Sequence, residues 1–153
     1  MSDLNRREFV IAAGAAMCAA SACMMCGTSA EAAEETGTKV DVGTAADYAK
    51  DGVYDKLANT KKVIIVRDGT KIYAMSAVCT HKLGTVTLNG GDLLCPKHKS
   101  YFGKDGKPTK GPAKAALFRH AISTNADGHI IVDTSKKFGE NQWTEAAAFI
   151  EVK

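Results

Sequence analysis

From Lys39 onward the chain switches between apolar and polar positions over short distances. Lys39 to Val42 alternates, and Val63-Ile64-Ile65-Val66 is a compact β-branched run. Asp68-Gly69 follows, and Lys71 to Val78 resumes the apolar pattern, which predicts a hairpin around a tight turn. Asn89-Gly90-Gly91, Asp105-Gly106 and Asp127-Gly128 mark three more turns. Ala116 to Ser123 and His129 to Asp133 are strand candidates on either side of the last of these. Ala46 to Leu57 is the one stretch before the C-terminus with room for a helical turn. Ala146 to Val152 is helix or strand, and periodicity does not decide between them. There is no internal repeat. The pattern predicts an all-β domain over residues 39–153, built of small antiparallel sheets joined by short loops.

The N-terminus follows a different rule. Met1 to Glu8 is polar and carries Arg6-Arg7, Phe9 to Met25 is apolar and uncharged, and Ala30-Glu31-Ala32 supplies an A-x-A cleavage pattern. The run Asn5-Arg6-Arg7-Glu8-Phe9-Val10 resembles the twin-arginine export signal, which implies export of a folded protein to the periplasm or outer membrane face. Residues 1–32 are therefore expected to be that signal. Retention as a membrane anchor is the second reading, because about 17 apolar residues just span a thin bilayer. A lipoprotein signal at Ala20-Ser21-Ala22-Cys23 is the third. An ordinary buried helix fits an uncapped, Ala-rich start with two arginines least well. After residue 35 no segment approaches the ~20 apolar residues of a membrane span.

The length of 153 residues suits one domain plus this appendage. A charged fraction of 24% argues against disorder. A net charge of +3, without a Lys/Arg run or an aromatic stripe, gives no reason to invoke nucleic acid.

The cysteines change the picture more. Cys18, Cys23 and Cys26 lie in the leader, and only Cys79 and Cys95 lie in the domain. Two cysteines in an exported domain ordinarily read as one disulfide. Here each has a histidine beside it. Cys79-Thr80-His81 is followed by thirteen residues and then Cys95-Pro96-Lys97-His98. Each half begins where a predicted strand ends, so two loops would each offer one thiolate and one imidazole. A structural zinc module is the alternative, but a tetrahedral zinc site normally wants C-x₂₋₄-C knuckles, and C-x-H fits it poorly. A [2Fe-2S] centre with two Cys on one iron and two His on the other fits this donor set.

Cys79-Thr-His-Lys-Leu-Gly84 and Cys95-Pro-Lys-His-Lys-Ser-Tyr-Phe102 resemble the two cluster-binding loops of Rieske iron–sulfur proteins. Gly111-Pro112-Ala113 resembles their proline-containing third loop, and Asp127-Gly-His-Ile-Ile-Val132 the strand that closes the domain. The resemblance implies a Rieske-like antiparallel β-sandwich with a small cluster-binding subdomain of loops. It implies one [2Fe-2S] cluster per chain, with Cys79 and Cys95 on the buried iron and His81 and His98 on the outer one. Ser100 matches the serine that hydrogen-bonds a bridging sulfur, and Pro112 matches a residue that shields the cluster.

Departures from the family pattern carry information too. Respiratory Rieske proteins join the two loops by a disulfide, and the matching positions here are Thr85 and Lys97. Where those proteins place a tyrosine on a ligand sulfur, this chain has Phe102, with Tyr101 one position earlier. A lost hydrogen bond to sulfur lowers the potential, so the midpoint is expected in the lower half of the Rieske range of about −150 to +300 mV. The loops are closer to low-potential, ferredoxin-type Rieske domains.

The expected function is one-electron transfer, as a soluble carrier or as a small subunit of a larger oxidoreductase, with no catalytic centre beyond the cluster. The resemblance offers a cytochrome bc-type complex or a molybdenum enzyme such as arsenite oxidase as hosts, and the missing cysteines count against the first. An oxygenase needs a further mononuclear iron domain, for which the chain has neither room nor spare histidines. Lys82, Lys97 and Lys99 flank the ligands, and Lys104, Lys107, Lys110 and Lys114 follow. They form either a solvated rim or a docking face for an acidic redox partner. A membrane partner is expected only if the leader is retained. His120 and His129 are read as structural or solvent-facing, and Trp143 and Phe149 as aromatics covering the core.

Overall fold

The computed structural model describes residues 38–153, so the expected export signal, anchor and lipobox over residues 1–32 lie outside the described residues. Among the described residues no helix is long and apolar enough to cross a membrane.

Among the described residues, eleven strands form two antiparallel sheets. The larger contains β1 (Lys39–Thr44), β2 (Gly52–Tyr54), β3 (Val63–Asp68), β4 (Lys71–Ser76), β9 (Arg119–Thr124), β10 (His129–Phe138) and β11 (Ile150–Glu151). Its order is β1-β10-β9-β4-β3-β2, with β11 pairing β4. The smaller contains β5 (Thr87–Asn89), β6 (Asp92–Cys95), β7 (Ser100–Phe102) and β8 (Pro108–Lys110) in sequential order. The all-β expectation holds, and the cluster-binding subdomain expected as loops is itself a small sheet.

The β3–β4 hairpin explains why the two sheets need each other. Val63 to Val66 are each at most 2% exposed. A strand that is apolar without alternation is one buried on both faces. Ile64, Val66, Tyr73 and Met75 point into a core shared with Leu93, Phe102 and the cysteines Cys79 and Cys95. Val63, Ile65, Ile72 and Ala74 point the other way, into a core with Val42, Ile122, Ile130 and Val132. Burying each such side chain contributes roughly 1.5–3 kcal/mol, so the hairpin anchors both halves.

Several elements differ from the expectation for identifiable reasons. Ala45–Tyr48 is a single 3-10 turn in the stretch read as room for one, and β2 follows it unannounced. With three residues and Gly52 at its head, β2 carries no readable alternation. Ala146 to Val152 is both things in succession, a 3-10 turn at Ala146–Ala148 and then β11. Strand β9 starts at Arg119 rather than Ala116, because Leu117 donates its N–H to Gly106 O in the loop before β8 at 2.9 Å, while Phe118 O accepts from Ser76 N at the end of β4 at 2.8 Å. β10 runs past Asp133 to Phe138 across an irregularity in register between Asp133 and Lys137.

Phe149 packs on the core as expected. Trp143 instead stacks on the Arg119 guanidinium, 4.4 Å from its ring centre, while Tyr73 holds the other side at 3.6 Å. Cation–π contact on both faces compensates an Arg119 Nε that is buried without a hydrogen-bond partner.

Candidate metal centre

Loop one leaves β4 and is closed at its base by a single bridge between Val78 and Thr85. Inside it Cys79 N donates to Gly84 O at 2.8 Å and Leu83 N donates to Cys79 O at 3.1 Å. Closing so tight a ring puts Leu83 at φ +50°, in the left-handed region that few side chains tolerate. Loop two is the turn of the β6–β7 hairpin, with Cys95 paired to Ser100 across its base. Lys99 sits at φ +54° to make that turn.

Three contacts lock the loops together. Thr80 Oγ1 donates to Ala115 O at 2.8 Å, Lys97 Nζ reaches Lys82 O at 3.4 Å, and Ala113 N donates to Ser100 Oγ at 3.3 Å. The last joins the Gly111-Pro112-Ala113 segment to loop two. Gly111 has φ +98°, and a Cβ there would lie 2.4 Å from Lys99 O, so only glycine admits this approach. Ala113 is buried beneath the segment while Pro112 is exposed. Gly84 is excluded from substitution on different grounds: a Cβ there would lie 2.6 Å from Cys95 Sγ.

The four donors are sorted by depth. Cys79 and Cys95 are both 1% exposed and unbridged, whereas His81 is half-buried and His98 exposed. The two imidazoles meet edge to face, with ring centres 4.9 Å apart and planes at 89°. His81 Nδ1 is buried and has no hydrogen-bond partner. A buried polar atom without a partner costs roughly 1–3 kcal/mol, and a metal bond at that nitrogen would remove the penalty.

The local electrostatics act in opposite senses on the two kinds of donor. Burial pushes the Cys95 thiol up, opposed by the backbone N–H groups of Lys97 and His98 and reinforced by the proton it shares with Cys79. Those N–H groups are placed to stabilise a thiolate, the form in which cysteine binds a metal. Desolvation, the His81 ring and the charges of Lys82 and Lys97 hold His98 below the ordinary imidazole value, a shift towards the neutral form that ligation requires. Among the described residues no group of three or more His, Cys, Asp or Glu converges as a single metal ion would require. Donors that serve two irons in pairs need not converge on one point.

Other expected residues fall where their surroundings send them. Ser100 and Phe102 are buried on the face of β7 that carries the core, and Tyr101, between them, points to the opposite face. Tyr101 pairs with Leu94 and Lys110 and lies 5.9 Å from the Lys110 ammonium, so its hydroxyl is directed away from the cysteines. His120 is buried on β9, and His129 is bound to Asp41 at 2.8 Å. All seven lysines near the loops are exposed, but Lys107 is committed to Glu140 at 2.9 Å. Sequence reasoning missed Leu83, which is 82% exposed beside His81. Its signal was an apolar residue isolated between Lys82 and Gly84.

Fold and site together define a small all-β domain that offers two Cys/His loops to a metal centre. The family model described as the Rieske [2Fe-2S] domain matches residues 38–125, and the chain belongs to that family, whose domain carries one [2Fe-2S] cluster. The residues present fit it, on the evidence of the unpartnered His81 nitrogen and of two buried, unbridged thiols.

Among curated proteins, the chloroplastic cytochrome b6-f complex iron-sulfur subunit of Fritillaria agrestis is 34% identical over 77 residues, which are 46% of this chain and 34% of that one. The corresponding subunit of Chlorobaculum tepidum is 36% identical over 77 residues, 48% of this chain and 41% of that one. The chain thus spans less than half the length of either relative. Among solved structures, the cyanobacterial plasma membrane Rieske protein PetC3 from Synechocystis PCC 6803 is 28% identical with a TM-score of 0.46, over 61% of this chain and 98% of that one.

Proposed function

We propose that the chain is an exported one-electron carrier in which Cys79, His81, Cys95 and His98 ligate the cluster, and that it serves a larger oxidoreductase as small subunit or partner. The observation that carries the reading is the sorting of donors by depth, with thiols in the core and imidazoles at the surface, around a His81 nitrogen that has no other partner. Bound there, the cluster would supply one-electron chemistry. The protein's own residues hold and tune it. Cys79 and Cys95 would hold the cluster from the apolar core, and the Lys97 and His98 N–H groups would offset the charge of the Cys95 thiolate. Ser100 Oγ, already accepting from Ala113 N, keeps its own proton for a sulfur. His81 and His98 would hold the cluster from the solvent side, where a partner would exchange the electron.

That partner is a redox protein, a reading supported by relatives that are subunits of cytochrome b6-f complexes. It docks on the exposed tip formed by Leu83 and His98, ringed by Lys82, Lys97 and Lys99. An apolar centre within a charged rim suits a transient complex steered by charge. An acidic partner surface is therefore expected, and electron-transfer rates that stay flat from low to high ionic strength would contradict it.

The deciding experiment is a visible and EPR redox titration of protein purified from the exported fraction. A rhombic signal appearing on reduction, with an average g below the free-electron value, is the expected result. A colourless, EPR-silent protein holding one zinc would overturn the proposal and leave a structural zinc module.

A further inference from the structure

Away from the cysteines, a recess of about 240 Å³ is lined by Lys61, Lys62, Ser76, His120, Thr134 and Lys137, together with Val78. Three lysines on a surface are ordinarily a solvated face, and here the floor beneath them is what differs. Ser76 is 4% exposed and His120 is 3% exposed, two polar residues on strands whose neighbours Ala74 and Ile122 are core. Ser76 Oγ accepts the Val78 N–H at 3.2 Å, which leaves its own proton to donate. His120 Nδ1 lies 3.4 Å from Lys136 O, a carbonyl brought over it where the register of β10 slips. Thr134 forms a wall with its hydroxyl already given to Thr38 O.

No acid lines the recess, and none of the ion pairs among the described residues uses Lys61, Lys62 or Lys137. Asp133 acts on the His120 ring through its charge, and its carboxylate is bound to Ser135. Three lysines and a buried hydroxyl donor therefore line one recess without an acid, the Lys62 ammonium resting on Thr85. Such an arrangement attracts an anion, and burial of the Ser76 hydroxyl makes that one contact worth more than at an open surface.

We propose that this recess is a binding site for a small oxyanion of the phosphate type, held by Lys61, Lys62 and Lys137 with Ser76 at its floor. It lies at the base of loop one, since Val78 precedes Cys79, and Lys62 Nζ also donates to Thr85 Oγ1 at 2.8 Å. An oxyanion that draws Lys62 inward competes with that bond, which places the bound anion one contact from the cluster loop.

The test is equilibrium dialysis of the purified holoprotein against radiolabelled inorganic phosphate, with chloride holding the ionic strength constant. One saturable site per chain in the millimolar range or tighter is expected. The exposed pair Lys61→Gln/Lys137→Gln should weaken it at least tenfold, and Ser76→Ala severalfold at unchanged net charge. A second pair, Lys104→Gln/Lys114→Gln, removes the same charge elsewhere and should leave affinity within twofold of the parent. Uptake that never saturates, or that both lysine pairs weaken alike, would mean diffuse attraction to a basic protein and would overturn the site.

Discussion

The ring of His98 stands edge-on to that of His81, with centres 4.9 Å apart and planes at 89°, although their loops arise from different sheets. Hydrogen bonds between the loops hold the pair, including Lys97 Nζ to Lys82 O. If both imidazoles serve one iron, His81→Ala and His98→Ala should each abolish the rhombic EPR signal and the visible absorption. His129→Ala is the control, since that ring is bound to Asp41 on β1 and should leave both spectra unchanged. A normal spectrum from either of the first two variants would remove that histidine from the ligand set.

Gly84 tests the packing around the thiols independently of the ligands. Its backbone does not need glycine, since its φ is not in the left-handed region, so Gly84→Ala acts through the Cβ alone. That atom would arrive 2.6 Å from Cys95 Sγ and 3.1 Å from Lys97 Cβ. Overpacking of this kind costs about 1–3 kcal/mol, and here the loop must move the sulfur to relieve it. Iron content per chain should fall and visible absorption should bleach at lower temperature than in the parent. Gly139→Ala, where nothing lies within 4 Å, should match the parent in both assays.

His120 predicts a loss of stability in acid. Burial, with Lys137 nearby, holds its imidazole below the ordinary value of 6.5 against the opposing bond to Lys136 O. The unfolded chain therefore binds a proton at a higher pH than the folded one. Above about pH 6.5 both states are neutral and the group contributes nothing to the pH dependence. As pH falls from there towards the depressed folded value, the unfolded state gains the proton first and stability drops. Urea midpoints from about pH 7.5 to about pH 5 should show this slope for the parent and a flatter one for His120→Gln. Parallel slopes would mean that His120 is not the titrating group.

The residues explain how much of this was legible. Val63 to Val66 and the Asp68-Gly69 turn announce their hairpin because a doubly buried β-branched run has few other uses. The two Cys/His loops were legible because ligand chemistry constrains residue type and spacing together. What stayed hidden depends on partners distant in sequence. β2 exists because β3 offers it an edge at Val66, and Tyr101 faces outward only because Cys95 pairs with Ser100 and sets the phase of β7. The Lys62 bond to Thr85 spans 23 residues and follows no motif. Such facts belong to the register of sheets, and a single sequence does not print register.

That phase leads to a prediction about the reduction potential. Ser100 and Phe102 share the face of β7 that meets the core, so of the three successive residues only Ser100 brings a hydroxyl to the cysteines. A hydrogen bond to a sulfur favours the reduced, more negative cluster. Removing one worth about 1 kcal/mol lowers a one-electron midpoint by on the order of 40 mV. Ser100→Ala should shift the midpoint down by about that much. Tyr101→Phe should leave it in place, because its hydroxyl lies on the far face beside Lys110. The contrast separates direct bonding from a general change of polarity near the loops, since both variants delete one hydroxyl from adjacent positions. Protein-film voltammetry of the two variants beside the parent measures all three midpoints under one condition. A larger shift from Tyr101→Phe than from Ser100→Ala would reverse the assigned phase of β7 and, with it, the identity of the residue that tunes the centre.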